Sequence, residues 1–321
     1  MYLRDGERVT DPEVLERIRA LAIPPAWNDV WICPSPTGHI QAVGTDAAGR
    51  KQYRYHDAWR ARRDQEKFDH MLDFARALPA MREALADDLS SEDLGRDRVL
   101  ACATRLLDIG FFRVGTEDYA EQNQSYGLAT IEKRHVRLSD GTVTFDYKAK
   151  SGKRRVQAVV DPEVYSVVEA LKRRRGGGPE LLAYRSDRRW VDVRSAEINA
   201  YIKEVTGDDF TAKDFRTWNA TVLAAVSLAV AAEAKSPTAR KRAISWAMKE
   251  VAHYLGNTPA VCRSSYVDPR VIDRYQAGVT VAEDLSGLGE DAAFGQLSTQ
   301  GVIERAVLNL LEDAPEQDQV A

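Results

Sequence analysis

The first sixty residues alternate apolar and polar side chains in short stretches, between turns that contain proline or glycine. This two-residue alternation occurs at Asp29–Cys33, Gly38–Val43 and Lys51–Tyr55, and it is typical of half-buried β-strands. From about Ala58 to Gly110 the apolar residues instead recur every three or four positions, which indicates helices. The pattern therefore predicts a small β-rich N-terminal region that leads directly into a helical one.

The second half of the chain combines one sheet with long helices. Strands are predicted at Leu128–Leu138, Thr142–Lys148 and Arg154–Val160, because Asp-Gly and Ser-Gly turn signals separate them. The chain after Asp161-Pro162 is predicted to be helical, apart from a loop of three glycines, with long helices at 214–234 and 236–255. The predicted fold class is therefore α+β, with one three-stranded antiparallel sheet in a mainly helical domain.

Length and charge divide the chain further. Its 321 residues suit two domains, and its net charge of −4 is unevenly distributed. From Val281 to the end, nine acidic residues accompany a single base, Arg305. We therefore predict a β-rich domain over residues 1–64, a larger domain over 65–280, and an acidic C-terminal tail over 281–321 whose last segment is disordered.

Composition excludes several classes of protein. The N-terminus opens with charged residues and the longest apolar stretch is too short to cross a bilayer, so neither a signal peptide nor a membrane span is predicted. The three cysteines are widely scattered without metal-ligand spacing. This distribution favours a reduced cytoplasmic location and no metal site.

Positive charge is concentrated in two places. Residues 50–67 carry seven bases and three acids, and residues 148–155 carry five bases and no acid. Neutralising phosphates requires a local basic surface rather than a basic average. The two clusters are compatible with nucleic-acid binding, although such runs are also common on solvated protein surfaces.

A constellation of cations and one tyrosine suits phosphoryl transfer. A tyrosine that attacks a phosphodiester needs fixed cations around the phosphorus, and arginine suits this task because its planar fork binds two phosphate oxygens. Four separated segments supply such groups, and they are Gly110-Phe-Phe-Arg113-Val-Gly115, Tyr147-Lys-Ala-Lys150-Ser-Gly-Lys153, Lys213-Asp-Phe-Arg216 and Leu255-Gly-Asn257 followed by Ser264-Ser-Tyr266.

In this order and spacing, the segments resemble the small type IB DNA topoisomerases of bacteria and poxviruses. The resemblance extends from Pro24-Pro-Ala-Trp27 to about Arg270. It implies a β-rich DNA-binding domain and a helical catalytic domain that relax supercoiled DNA through a 3′-phosphotyrosyl intermediate. It also implies a monomer that clamps duplex DNA in the cytoplasm, associated with the nucleoid, without a metal, ATP or another nucleotide cofactor.

The resemblance assigns a role to each catalytic candidate. Tyr266 would be the nucleophile, and Arg113 and Arg216 would contact the nonbridging oxygens of the scissile phosphate. Lys150 would protonate the leaving 5′-oxygen, although Lys148 or Lys153 remains an alternative acid. Asn257, which is histidine in many relatives, would donate a hydrogen bond to a phosphoryl oxygen.

A second set of residues would contact DNA outside the reacting phosphate. In relatives the basic strand near residue 50 lies against DNA, although its tyrosines could equally belong to a small core. The predicted DNA-binding residues are Arg50, Lys51, Gln52, Tyr53, Arg54, Tyr55, Lys148, Lys153 and Lys213.

Two alternatives use the same catalytic domain or the same fold. A tyrosine recombinase shares the nucleophile, but it typically has histidine at the position of Lys213 and a Leu-Gly-His segment where this chain has Asn257. A DNA-binding protein that has lost catalysis is the other alternative. The presence of Arg113, Lys150, Arg216 and Tyr266 together argues against it.

Overall fold

The computed structural model describes residues 2–117, 120, 123–234, 236–287 and 300–313. Within it, the chain forms two compact units, with the division between Asp69 and His70. The end of the predicted acidic tail, with its predicted disordered segment, lies outside the described residues. Among the residues that are described, no helix is long and apolar enough to cross a membrane.

The first unit contains a hairpin, a short helix and a three-stranded antiparallel sheet. Its elements are β1 (Leu3–Arg4), β2 (Glu7–Arg8), α1 (Pro12–Ala20), β3 (Asn28–Ile32), β4 (Ile40–Thr45) and β5 (Lys51–Tyr55). The sheet has the order β3-β4-β5, so the three strands predicted in this region are present. The hairpin and α1 were not predicted, although Asp11 and Pro12 are an N-cap residue followed by proline in the first turn.

Side-chain hydrogen bonds hold α1 against the sheet in this small unit. The Arg17 guanidinium donates to the side-chain oxygen of Gln41 at 2.8 Å and to the Cys33 carbonyl at 2.6 Å. The buried Gln41 amide in turn donates to carbonyls of the β3–β4 loop. These bonds fix α1 on the sheet, because a buried polar group without partners is costly.

One helix crosses the boundary between the units, and the next begins the core of the second. Helix α2 (Asp57–Leu89) starts in the first unit and ends in the second, and α3 (Arg96–Gly110) follows after a break. Gly95 is the N-cap of α3. Almost every residue of α3 from Val99 onward is buried, so this helix passes through the centre of the second unit.

The sheet of the second unit differs from the prediction at its first strand. Its strands are β6 (Val136–Ser139), β7 (Thr142–Lys148) and β8 (Arg154–Val160), paired antiparallel in that order. The strand predicted from Leu128 is wrong over its first half, which forms two short 3₁₀ turns. The Thr130 hydroxyl bonds the backbone of Gly127, and such local side-chain bonds compete with a strand.

A second hairpin lies where the sequence predicted only helix. After α4 (Pro162–Arg173), strands β9 (Ala183–Ser186) and β10 (Arg189–Asp192) pair antiparallel. The two residues between them, Asp187 and Arg188, have φ of +45° and +67°. Two-residue hairpin turns need positive φ and usually contain glycine, so this turn carries no conspicuous sequence signal.

Six further helices lie in the described part of the second unit. They are α5 (Ser195–Thr206), α6 (Ala212–Val230), α7 (Pro237–Leu255), α8 (Pro259–Ser265), α9 (Pro269–Gln276) and α10 (Val302–Glu312). The Ser236 hydroxyl caps α7 by accepting from the Ala239 N–H at 3.1 Å, as its sequence predicts. Together with the two sheets these helices confirm the α+β class.

The amphipathic part of the acidic tail is packed into this unit as α10. Its residues Ile303, Val307 and Leu311 are buried, and the helix contacts α6 and α9. At its start, Glu304 accepts hydrogen bonds from Arg82 and from the indole N–H of Trp218 at 2.9 Å. At least this part of the tail is therefore a structural element rather than a solvated extension.

Candidate active site

Four of the five predicted catalytic residues meet in the second unit. Arg113 follows the C-terminal end of α3, Arg216 lies in the first turns of α6, Asn257 follows α7, and Tyr266 ends α8. The fifth residue, Lys150, is exposed on the turn between β7 and β8.

Arg216 is buried and held by two backbone carbonyls. Its two terminal nitrogens donate to the carbonyls of Phe111 at 2.9 Å and Leu255 at 3.0 Å. Its guanidinium carbon lies 5.3 Å from the centre of the Tyr266 ring. Burial and then the charge of Arg113 lower its pKa to about 10, so the cation is costly here and suits an anionic partner.

Asn257 is oriented by Arg113. Gly256 ends α7 in the left-handed region with φ of +63°, and this turn brings Asn257 towards Arg113. Arg113 donates to the side-chain oxygen of Asn257 and, at 3.4 Å, to the Gly256 carbonyl. Because the amide oxygen faces the cation, the amide nitrogen Nδ2 is left as a donor on the opposite side.

Two buried donors in this group make no hydrogen bond of normal geometry. They are Nε of Arg216 and Nδ2 of Asn257, both inaccessible to solvent. Buried polar groups are nearly always paired, so each exception needs an explanation. Both belong to residues next to Tyr266, where a phosphate would supply the missing acceptors.

Tyr266 is fixed by its backbone, and its neighbours lower the pKa of its hydroxyl. Its N–H donates to the Cys262 carbonyl at 3.0 Å, and its carbonyl accepts from the Thr221 hydroxyl at 3.3 Å. Burial raises the pKa of the phenol. The charge and N–H groups of Arg216, with contributions from Arg113 and Asn257, outweigh burial and lower the pKa below its ordinary value.

A second tyrosine near the same arginines has a raised pKa, in contrast to the lowered pKa of Tyr266. Tyr147 is buried in β7, stacks on Phe112 and donates its hydroxyl hydrogen to Gln157 at 3.0 Å. Burial raises its pKa to about 12, against the charges of Arg155, Arg216 and Arg113. The environment therefore favours the phenolate of Tyr266 over that of Tyr147.

The hairpin that carries the predicted general acid is tied to the neighbouring loop. The Lys148 carbonyl accepts from the Tyr126 N–H at 2.8 Å, and the Ala149 carbonyl accepts from the Ser125 hydroxyl at 3.3 Å. Lys148, Lys150 and Lys153 are all exposed on this turn. The geometry of the turn leaves the choice among the three lysines open.

Arg155 is a residue of this site that the sequence reasoning missed. It lies on β8 opposite Tyr147, and its guanidinium donates to the His253 carbonyl at 2.9 Å and to the Tyr254 carbonyl. Burial and the charge of Arg113 lower its pKa. It thus links the lysine hairpin to the end of α7, just before Asn257. Its place in the basic run 148–155 was the only signal in the sequence.

The predicted DNA-binding residues of the first unit lie on β5 and beside it. Asp46 accepts from Arg50 and from Gln52, each at 2.9 Å, and the side-chain and backbone hydrogen bonds from Arg50 lower the pKa of its carboxyl to about 2. Tyr53 is 46% exposed, whereas Tyr55 stacks on Trp59 with 4.5 Å between ring centres. Tyr53 is thus accessible to a ligand, as a DNA contact requires. Tyr55 instead packs inside the unit, as the alternative of a small core predicted.

The remaining candidates are exposed. Lys51 is exposed on β5, Arg54 is partly exposed, and Lys213 is exposed at the start of α6. Across the described parts of the chain, no group of three or more histidine, cysteine, aspartate or glutamate side chains is arranged to hold a metal ion.

Comparisons with known proteins identify the family of this chain. The family profile for the catalytic core of eukaryotic DNA topoisomerase I matches residues 56–286, and that for the N-terminal domain of bacterial DNA topoisomerase IB matches residues 2–46. DNA topoisomerase 1B of Acanthamoeba polyphaga mimivirus is 34% identical over 283 residues, which are 86% of this chain and 83% of the relative. DNA topoisomerase 1B of vaccinia virus (strain Copenhagen) is 19% identical over 288 residues, 85% of this chain and 88% of the relative.

These matches decide between the alternatives that the sequence left open. Both profiles describe topoisomerases and together they cover most of the chain, so neither a tyrosine recombinase nor a non-enzymatic DNA-binding protein is retained. The resemblance that the motifs suggested is confirmed. The chain belongs to the type IB DNA topoisomerase family.

Proposed function

We propose that this topoisomerase relaxes supercoiled DNA by cleaving one strand through Tyr266. The Tyr266 oxygen attacks phosphorus, a 3′-phosphotyrosyl bond forms, and the bond to the 5′-oxygen breaks. That oxygen leaves with a proton and later reverses the reaction by attacking the phosphotyrosine. The observation that carries the proposal is a pair of buried donors that make no hydrogen bond of normal geometry, Arg216 Nε and Asn257 Nδ2, beside a tyrosine whose pKa is lowered.

Charge balance in the transition state is assigned to three residues. Arg216 is already held by two carbonyls, so its orientation costs nothing at the moment of reaction. Arg113 fixes the amide of Asn257 and brings a second positive charge. Preorganised donors of this kind are typically the largest single contribution to acyl and phosphoryl transfer.

Proton donation to the leaving oxygen is assigned to Lys150. It lies at the tip of a hairpin whose base is held to the end of α7 by Arg155. We expect Lys150→Ala to slow cleavage by about 10²-fold or more, within the range for general acids. A 5′-thio leaving group, which needs no proton, should restore the rate. If the 5′-thio leaving group instead restores the cleavage rate of Lys148→Ala or Lys153→Ala, the role of general acid belongs to that lysine.

Neither ATP nor a metal is required by this scheme. One phosphodiester is exchanged for another, so the bond energy is kept in the phosphotyrosine until religation. The positive charge comes from arginine rather than from an ion. We expect the purified protein to relax both negative and positive supercoils in EDTA without ATP, measured by gel electrophoresis. Correctly folded protein that leaves the plasmid supercoiled would refute the enzyme mechanism.

The nucleophile is tested by comparing two tyrosines near the same arginines. Tyr266→Phe should abolish the covalent adduct on a nicked duplex while DNA binding persists. Tyr147→Phe is the matched control, because Tyr147 is close to the same charges but has a raised pKa. It should still form the adduct. Mass spectrometry of the trapped peptide then identifies the nucleophile, and any site other than Tyr266 contradicts the assignment.

We also propose that the exposed residues of β5 and the lysine hairpin bind the DNA backbone. Tyr53, Lys51, Lys148 and Lys153 are exposed, as a phosphate contact requires. The Asp46 carboxylate already pairs with Arg50, so we expect Arg50→Ala to weaken DNA binding less than Lys51→Ala does. Fluorescence anisotropy with a labelled duplex measures both.

A further inference from the structure

The exposed face of α7 carries a row of basic and aromatic residues that the catalytic scheme does not use. Arg242, Trp246, Lys249 and His253 are all exposed and follow one another at intervals of four, three and four residues, which places them along one side of the helix. The opposite side of the helix is buried, through Ile244, Ala247, Met248, Val251, Ala252 and Leu255. We call the exposed row the α7 face.

Within the described parts of the chain, the cations of the α7 face have no acidic partner. Among the described residues, no salt bridge involves Arg242 or Lys249, and Glu250 is the sole acid within the helix. Some surface cations of the second unit differ in this respect, since Arg173 pairs with Glu169 at 2.8 Å and Lys203 pairs with Asp209. Trp246 stands between the two cations with 48% of its surface exposed. Two cations without acidic partners among the described residues, on either side of an exposed indole, can bind a polyanion that also has an apolar edge.

The α7 face leads directly to the candidate active site. Arg155 binds the carbonyls of His253 and Tyr254 at the end of the helix. The ring of Tyr254 lies 5.6 Å from that of Phe111, whose carbonyl holds Arg216. Asn257 follows within one turn. The α7 face therefore ends at His253, four residues before Asn257, where the backbone is bonded to Arg155 of the candidate site.

We propose that the α7 face binds the phosphate backbone of the duplex that flanks the cleaved phosphate. From Arg242 to His253 the helix rises about 16 Å, and phosphates of one strand repeat every ~3.4 Å along the duplex axis. The row thus spans about five base steps. Arg242 and Lys249 contact phosphates, and Trp246 packs against the sugar edge. This inference rests on the proposed function in one respect, which is that DNA is the substrate.

Salt dependence of DNA binding tests the proposal. Each phosphate contact contributes about 0.9 to the slope of log affinity against log salt concentration. The double variant R242A/K249A should therefore make the slope of log affinity against log salt concentration less steep by about 1.8. Fluorescence anisotropy with a duplex of about 30 base pairs, which is longer than the proposed contact, measures this slope. The matched control R173A/K203A removes two exposed cations that have acidic partners, and it should leave the slope unchanged. An unchanged slope in R242A/K249A overturns the proposal.

The aromatic member of the row is tested separately. W246A should weaken binding at every salt concentration without changing the slope, because an apolar contact releases no counterion. The proposal is rejected if W246A binds DNA with full affinity and R242A/K249A keeps the wild-type salt dependence. The α7 face would then bind a different partner. If the wild-type chain binds DNA with the full slope but forms no adduct, the proposed chemistry fails and the α7 face is retained.

Discussion

Glu304 connects the acidic C-terminal segment to the core, and replacing it with glutamine perturbs that connection at nearly constant volume. One of its carboxylate oxygens accepts from Arg82 at 2.7 Å and from the Gly301 N–H at 3.1 Å. The other accepts from Trp218 and from Arg82, both at 2.9 Å. In Glu304→Gln, an NH₂ group replaces one of these oxygens and faces donors, so two hydrogen bonds are lost along with the negative charge.

The expected loss of stability follows from the burial of the partners. Removing one member of a buried ion pair typically costs about 3–5 kcal/mol, because the remaining charge is left uncompensated. Here Arg82 keeps its two hydrogen bonds to Asp108, so the lower end of that range applies. We expect Glu304→Gln to lower the free energy of unfolding by about 3 kcal/mol. For a unit of this size, that corresponds to a fall in Tm of roughly 6–12 °C.

The matched control is Glu312→Gln, which is the same substitution on the same helix. Glu312 pairs with Arg76 at a solvent-exposed position, where ion pairs contribute about 0–1 kcal/mol. Urea unfolding followed by tryptophan fluorescence measures both variants. Equal losses of stability in the two variants would refute the reasoning, because they would mean that α10 is not anchored through Glu304.

Two further predictions concern the active site. Because Arg216 lowers the pKa of Tyr266 despite burial, the phenolate forms at lower pH than in free tyrosine, and the single-turnover rate of adduct formation should rise with pH and level off below about 10. Arg113→Ala should move that plateau to higher pH, and an identical profile in the variant would contradict the electrostatic assignment. Arg155→Met removes two hydrogen bonds to the carbonyls that precede Asn257, each worth about 1.5 kcal/mol at a charged donor. We expect at least tenfold slower adduct formation, with partial recovery in Arg155→Lys, whereas normal rates would limit Arg155 to a structural role.

The sequence by itself predicted much of the architecture. The alternation of apolar residues located β3, β4 and β5, and the turn signals Asp140-Gly141 and Ser151-Gly152 located β7 and β8. These features are local, because hydrophobic periodicity and turn residues act within a few positions. The family resemblance was also readable in the sequence, since its motifs keep their order and spacing.

Two features of the fold were not predicted from the sequence. The 3₁₀ turns near Thr130 replace part of a predicted strand because local side-chain bonds satisfy the backbone there. The acidic segment becomes α10 because Arg82 and Trp218, more than eighty residues away, supply partners for Glu304. Such contacts have no local signature.

The active site illustrates the same division. The sequence supplied Arg113, Arg216, Asn257 and Tyr266 as candidates, and it could not supply what each of them contacts. The orientation of the Asn257 amide is set by Arg113, 144 positions away in sequence, and the lowered pKa of Tyr266 arises from Arg216. Residue type and spacing determine which chemistry is available, whereas burial and long-range neighbours determine that the pKa of Tyr266 is lowered and that of Tyr147 is raised.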